Sequence, residues 1–449
     1  MSATLSHLMT HQNILLLQGK MGTFFCRFAT FLINQGKTVH KINFNAGDAF
    51  FYCHKKNTNN YRGTLADFDE FLSWYIKTHD IHAVVCFNDC RPHHAIASVV
   101  TTRLGTSFFV FEEGYLRPDY ITLEEHGING YSRLDSTLID ELQQAQDEPL
   151  YTANRFWRLC VASIVYYVVV FFGQWRYPHY EHYRGLTIFG EMWAWCLAFV
   201  RKWLRWLPDK SLQKKLIRQK NFYLVSLQVH NDSQITHHSD YADVRDFIVE
   251  VLESFAKHAP KGTTLVFKHH PLDRGHRDYN HFIARIANRL GISERVDYCC
   301  DVHLPSLIKA SIGMITVNST TALQSIYHQK PTKIMGRALY DVAGLTDQQS
   351  LDEFWVNPTA PNRAFYLKFR EYLIERTQLN GSFYGKAPWE LPNFEQNMAF
   401  YANRANQSKV IESCSRVHPS KKKRKPTTYH QRQLKHKNKK GKFKNSTLS

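Results

Sequence analysis

NILLLQGKMGTFFCRFATFLINQGKTVHKINF, residues 13–44, is the stretch on which the architecture turns. Asn13 to Gln18 is an apolar run of strand length, and Gly19-Lys20-Met21-Gly22 is a turn. Thr23 to about Gln35 has helical spacing, and Thr38 to Phe44 is a second strand. Strand, turn, helix, strand in close succession is the unit that builds parallel sheets with right-handed crossovers. Outward from it the alternation continues. Leu65 to Lys77 reads as a helix opened by Thr64, with Asp67 as an approximate capping-box partner. Ala83 to Phe87 and Ser107 to Phe111 read as further strands.

The pattern restarts at Phe222 to Leu227, Thr264 to Phe267 and Ile312 to Val317, with amphipathic helices Tyr241 to His258 and Tyr279 to Leu290 between them. The predicted class is therefore α/β with two Rossmann-like domains, which suits a chain of 449 residues. The expected division is 1–150 for the first domain, 151–215 for a helical insert and 216–345 for the second domain. C-terminal helices over 346–408 and a basic tail over 409–449 complete it.

The insert differs in character. Leu159 to Gly173 is almost wholly apolar yet shorter than the ~20 residues a membrane span requires. Trp193 to Leu207 interleaves tryptophans with Arg201, Lys202 and Arg205, and six of the nine tryptophans fall at 157, 175, 193, 195, 203 and 206. Rings at headgroup depth and cations on lipid phosphates suit a helix lying in a membrane interface, so residues 157–207 are expected to dock on a membrane rather than cross it. A helical hairpin packed on the core is the plainer alternative.

Charge is concentrated at the other end. Residues 421–444 carry twelve of the eighteen net positive charges and no acid. Such a run buries nothing and is expected to be disordered; anionic lipid or nucleic acid would suit it as partner, and a solvated tail without a specific partner is the plainer alternative. Nucleic acid is disfavoured because the aromatic residues lie far from the lysines. Nine scattered cysteines without CxxC spacing argue against a disulfide framework and fit a reducing compartment. Only Ile14 to Leu17 is apolar near the start, with no basic residues before it, so no secretory signal is expected and a cytoplasmic location is.

Ligands of open α/β sheets bind beyond the carboxyl ends of the strands, which directs attention to the residues after each run. Glu112-Glu113-Gly114-Tyr115-Leu116-Arg117-Pro118 follows one strand, and two adjacent carboxylates point in different directions there. One can face a cleft as base or nucleophile while the backbone holds the other. Lys268-His269-His270-Pro271 follows a second strand and offers a histidine to a phosphate. Asn318-Ser319-Thr320 follows a third, where hydroxyls cap a helix and the same terminus attracts phosphate. Gln228 follows a fourth. Asp89 and Arg91 follow Phe87 in the first domain; Arg91 could grip a carboxylate or phosphate, or pair with Asp89 or Asp119. Gly19 to Thr23 lacks the spacing of a phosphate-binding loop, and Asp67-Phe68-Asp69 sits where acids favour a helix dipole rather than a metal.

Taken together, Glu112-Glu113-Gly114, His270-Pro271 and Ser319-Thr320 resemble the motif triplet of bacterial transferases that use CMP-activated keto-sugar acids. Longer strings, Lys41 to Asp48, Glu112 to Pro118, Gln228-Val229 with Asp232 to Ile235, Val317 to Thr320 and Leu351 to Trp355, resemble the KpsS/LipB capsule polysaccharide family. The resemblance implies a GT-B fold with the two domains facing a cleft, and transfer of Kdo from CMP-Kdo to lysophosphatidylglycerol on the inner face of the inner membrane, without a metal or other cofactor. It implies Glu113 as catalytic carboxylate supported by Glu112. His270, Pro271, Ser319, Thr320, Asn318, Gln228 and Lys268 would hold the donor, and Arg91, Arg117 and Asp89 would contact substrate. Other capsule assembly and export proteins would be its partners. A non-catalytic export scaffold at the membrane is the rival expectation.

Overall fold

The computed structural model describes residues 2–134, 139, 149–182, 188–230, 235, 239–392 and 394. The basic tail, and Asp232 to Gln234 of the string after Gln228, lie outside the described residues.

Two sheets organise the molecule. The first contains β1 (Asn13–Leu16), β2 (Thr38–Asn43), β3 (Thr58–Asn60), β4 (Ala83–Phe87), β5 (Ser107–Glu113) and β6 (Tyr120–Glu125). It is completed by β12 (Gln378–Asn380), and its order is β12-β6-β5-β4-β1-β2-β3. Strands β1 to β5 run parallel, β6 antiparallel to β5, and β12 antiparallel to β6. The second sheet is parallel throughout, with β7 (Phe222–Ser226), β8 (Thr264–Lys268), β9 (Val296–Cys299), β10 (Gly313–Thr316) and β11 (Thr332–Ile334) in the order β11-β10-β7-β8-β9. Numbered from its own first strand, each sheet has the 3-2-1-4-5 core of a Rossmann fold. That order places one crevice beyond β1 and β4 and another beyond β7 and β10.

The apolar runs form strands because both faces of a parallel sheet are covered. Ile14, Leu16, Val85, Phe109 and Phe111 pack on one side against Phe24, Phe25 and Phe28 of the helix Phe24–Asn34. Leu15, Val84, Cys86 and Val110 pack on the other against Phe68, Leu72 and Val100 of the helices Phe68–Thr78 and Pro92–Leu104.

Several elements differ from expectation. β5 runs two residues further than predicted, so both glutamates belong to the strand. Thr64 and Asp67 do bond to each other, but the helix starts only at Phe68. Among the described residues, those over 346–392 pack onto the two domains and not as a helical unit of their own. Phe354 and Trp355 fill the second domain's core, the helix Arg363–Arg376 contributes to a core shared by both domains, and β12 and Phe383 return to the first. Cys26 and Cys53 are joined, their Cα atoms 5.7 Å apart, where free thiols were expected. Twenty-seven residues of sequence separate them, and only the fold brings the first turn of a helix beside the loop after Phe51.

The insert comprises the helix Phe156–Gly173, prolonged by a 3-10 turn to Arg176, and the helix Ile188–Gln219 with Pro208 inside it. At 21 residues, Phe156–Arg176 is long and apolar enough to cross a membrane, and most of it is exposed. The expectation that this segment is too short to span is corrected: residues before Leu159 and after Gly173 extend the helix.

Candidate active site

β5 ends at the edge of the first domain's crevice, and alternation along the strand sends its two glutamates opposite ways. Glu112 turns inward, accepting from Asn88 Nδ2 at 3.0 Å and from the Glu113 N–H at 2.9 Å. Glu113 meets Lys20 Nζ at 2.5 Å and keeps 38% of its side chain exposed. Gly114 lets the chain turn at once: a Cβ there would lie 2.1 Å from the Tyr120 carbonyl oxygen.

This pairing pushes two neighbouring carboxyls apart. Burial raises the Glu112 pKa to about 7, against the pull of Lys20. Burial acts on Glu113 in the same sense, but Lys20 and then Arg117 outweigh it and hold Glu113 below its usual value. For Lys20, burial works against the ammonium and the charges headed by Glu113 overcome it, leaving its pKa raised. Near neutral pH the rim thus holds an anion at Glu113, a cation at Lys20 and a titratable acid at Glu112. Separated carboxyl pKa values of this kind suit nucleophile or base work at one group and proton handling at the other.

Lys20 belongs to the glycine turn that spacing alone did not mark as functional. Its signal was position, since it follows β1 at the point where strand order reverses. Phe87, ending β4 on the other side of that point, has the Lys20 ammonium 4.7 Å and the Arg91 guanidinium 5.3 Å from its ring centre. Arg91 is buried and donates to the Gly19 carbonyl at 3.1 Å. Asp89 is buried too; its carboxylate accepts the Ile128 N–H at 3.0 Å, and burial pushes its pKa to about 6. Both predicted residues are brought to the crevice, but Asp89 faces a loop of the protein itself.

In the second domain, Gln228 Nε2 donates to Asn318 Oδ1 at 2.9 Å, and both residues are buried. They close the crevice between β7 and β10. Ser319 Oγ accepts from Thr321 Oγ1 at 2.9 Å, and its carbonyl accepts from the Tyr340 hydroxyl at 2.6 Å. Thr320 precedes the helix Thr321–Tyr327 without a side-chain cap bond. His270 Nδ1 accepts the Leu272 N–H at 3.2 Å, which puts the ring proton on Nε2. Burial, then Lys268, lowers the His270 pKa to about 4, so the ring is a neutral donor at pH 7. Lys268 ends β8 almost fully buried, and burial lowers its pKa. Pro271 is exposed beside it.

Two observations bring these loops together across the domains. Tyr115 and Leu116, directly after the glutamates, share a buried core with Ala322, Leu323 and Ile326 of the helix after Thr320, and with Tyr340. Exposed Arg117, whose Nε donates to the Gly114 carbonyl at 3.2 Å, bears electrostatically on both Glu113 and His270.

Residues 82–384, which hold the glutamate, histidine and serine loops, match the family model for capsule polysaccharide biosynthesis proteins. The chain belongs to that family. It is 42% identical over 386 residues to the capsule polysaccharide modification protein LipB of Neisseria meningitidis serogroup B, covering 84% of this chain and 92% of that one. Against the capsule polysaccharide export protein KpsS of Escherichia coli, identity is 38%, over 85% of this chain and 99% of the relative. Among solved structures, the beta Kdo 2,7 transferase KpsC of Thermosulfurimonas dismutans aligns with 13% identity and a TM-score of 0.40, over 87% of this chain and 99% of that one. The two Rossmann-like domains have a GT-B-like arrangement, with the loop after β5 packed against the helix that follows Thr320.

The metal question has a local answer. Asp67 is bonded to Thr64 and Asp69 is paired with Arg103, so the DxD string is engaged within the protein. Among the described residues, Cys26, Cys53 and His54 cluster with metal-ligand geometry, away from the glutamates, and there the two sulfurs are already joined.

Proposed function

We propose that this capsule family member is a glycosyltransferase that moves Kdo from CMP-Kdo to lysophosphatidylglycerol, starting the linker on which a capsular polysaccharide is carried. The observation that carries the reading is the Lys20–Glu113 pair beside a Glu112 of raised pKa, with Arg117 bearing on both Glu113 and His270. Glu113, held ionised, acts as nucleophile at the anomeric carbon or as base on the acceptor hydroxyl. The bond from that carbon to the phosphate oxygen breaks with its electron pair leaving on CMP, and the acceptor oxygen bonds the carbon and gives up its proton. His270 donates from Nε2 to the phosphate as charge develops there, with the Ser319 and Thr320 hydroxyls alongside. Arg117 lies where it can neutralise a sugar-acid carboxylate. No step in this scheme calls on a metal.

Membrane association at the cytoplasmic face belongs to the same proposal. Supporting it, all six insert tryptophans are exposed, and Arg158, Arg176 and Lys210 lie over the rings of Trp157, Trp175 and Trp206. The first insert helix is tied to the catalytic domain by Tyr166, whose hydroxyl receives Asn45 Nδ2 at 2.7 Å and Gln18 Nε2 at 3.0 Å. The second lies against the donor-side loop, with Arg201 donating to the Arg274 carbonyl at 2.6 Å.

The test is incubation of the purified protein with CMP-Kdo and lysophosphatidylglycerol. CMP release with a Kdo-lipid product is the expected result. Lipid and nucleotide binding without turnover would favour a scaffold and overturn the enzymatic reading.

A further inference from the structure

His230 stands four residues beyond the end of β7, the central strand of the second sheet. Its Nδ1 lies 2.5 Å from Oδ1 of Asp273, on the loop that follows His270. Asp273 is completely buried and also meets His269 Nε2 at 3.4 Å, while His269 Nδ1 bonds the Tyr298 hydroxyl at 2.6 Å. Burial would raise the Asp273 pKa, but the hydrogen bonds from His230 and His269 carry it down to about 2, so the aspartate is an anion.

An ionised carboxylate on Nδ1 fixes the proton there and directs Nε2 outward. The His230 side chain is 17% exposed, and its Nε2 meets no hydrogen-bond partner among the described residues. Among the described residues, His269 bonds the same carboxylate and His276 has its ring centre 5.6 Å from that of His230. The two rim histidines are therefore complementary. His270 presents N–H at Nε2, and in the His230 tautomer with its proton on Nδ1 the Nε2 atom can accept, or donate when both ring nitrogens carry protons.

We propose that His230, oriented by Asp273, is a further donor-binding residue whose Nε2 takes the nucleotide phosphate opposite His270 and gains a proton from solvent as the leaving phosphate becomes a dianion. Asp273 acts through His230 as a positioning residue. This rests on the reading of the second domain as the nucleotide-binding half. The charges alternate along the line: carboxylate, imidazolium, phosphate. No covalent bond beyond the one broken in transfer is involved. Because a proton is taken up, CMP binding weakens as pH rises.

The experiment is calorimetric titration of CMP into the full-length protein at pH 7.5 in two buffers of different ionisation enthalpy. The wild type is expected to take up a substantial fraction of a proton per CMP. His230→Asn keeps an N–H toward Asp273 but removes Nε2; it should fold normally, bind CMP roughly 10- to 100-fold more weakly and lose the uptake. Asp273→Asn should lose the uptake as well. Unchanged affinity and uptake in His230→Asn would overturn the proposal and reduce the dyad to a tie between loops, leaving the donor reading intact. A wild type that binds neither CMP nor any other nucleoside monophosphate overturns the donor reading and the proposal with it.

Discussion

Glu113 and Lys20 form a charge pair inside a crevice, and each sets the other's protonation state. Removing the Glu113 carboxylate while keeping its shape removes the group proposed to act at the anomeric carbon. Glu113→Gln is expected to lower kcat by roughly a thousandfold or more with CMP affinity nearly unchanged, measured by initial rates and calorimetry. Near-normal turnover would show that another group does the chemistry. Lys20→Met should act through pH. Without the cation, burial dominates and the Glu113 pKa rises, so the ionised form is lost first on the acid side. The acid limb of kcat/KM should therefore move to higher pH, with about 10- to 100-fold lower activity at pH 6 and partial recovery at pH 8. At this scale the sequence was informative about Glu112, Glu113, His270 and Ser319, because each follows an apolar run in the chain. It was silent about Lys20 and the His230–Asp273 pair, because a short glycine turn and a loop histidine look ordinary until a partner from elsewhere in the chain arrives.

Among the described residues, most of the exposed large apolar side chains lie on the insert helices and the turn between them. Trp193 and Trp203 are 67% and 77% exposed on the helix that carries Arg201, Lys202 and Arg205. Replacing both by alanine is expected to weaken partition onto phosphatidylglycerol vesicles by roughly tenfold or more, with turnover on a water-soluble acceptor preserved. Vesicle sedimentation beside a soluble assay checks both halves, and unchanged partition would remove these rings from the docking surface. The composition of the insert was readable at a glance, since tryptophans beside arginines are rare in a core. Its length was not, because the helix recruits residues at each end that a run of apolar letters leaves out. Likewise β6, β9, β11 and β12 escaped notice: short or polar strands are strands only because a neighbour pairs with them.

At the scale of the whole molecule, the cleft exists because two cores are joined by a third. Tyr115, Leu116 and Tyr120 from the first domain and Ala322, Leu323, Ile326 and Tyr340 from the second are buried together with Tyr366, Phe369 and Tyr372 of the returning helix. The polybasic run lies outside the described residues. Deleting residues 415–449 is expected to leave turnover on a soluble acceptor within about twofold while lowering affinity for anionic vesicles, most strongly at low salt, since each Lys or Arg near such a surface contributes about 1 kcal/mol. Loss of soluble turnover in that truncation would tie the tail to the catalytic unit instead. The sequence by itself determined the class of fold, the positions of the central strands and the motif loops, because buried parallel strands demand continuous apolar runs and ligand loops must follow them. The tertiary structure alone decided which charges face one another. Lys20 reaches Glu113, His230 reaches Asp273, and the charge of Arg117 bears on both Glu113 and His270. These are contacts between residues distant in the chain, and electrostatic pairing depends on distances through space that only the packed sheets fix.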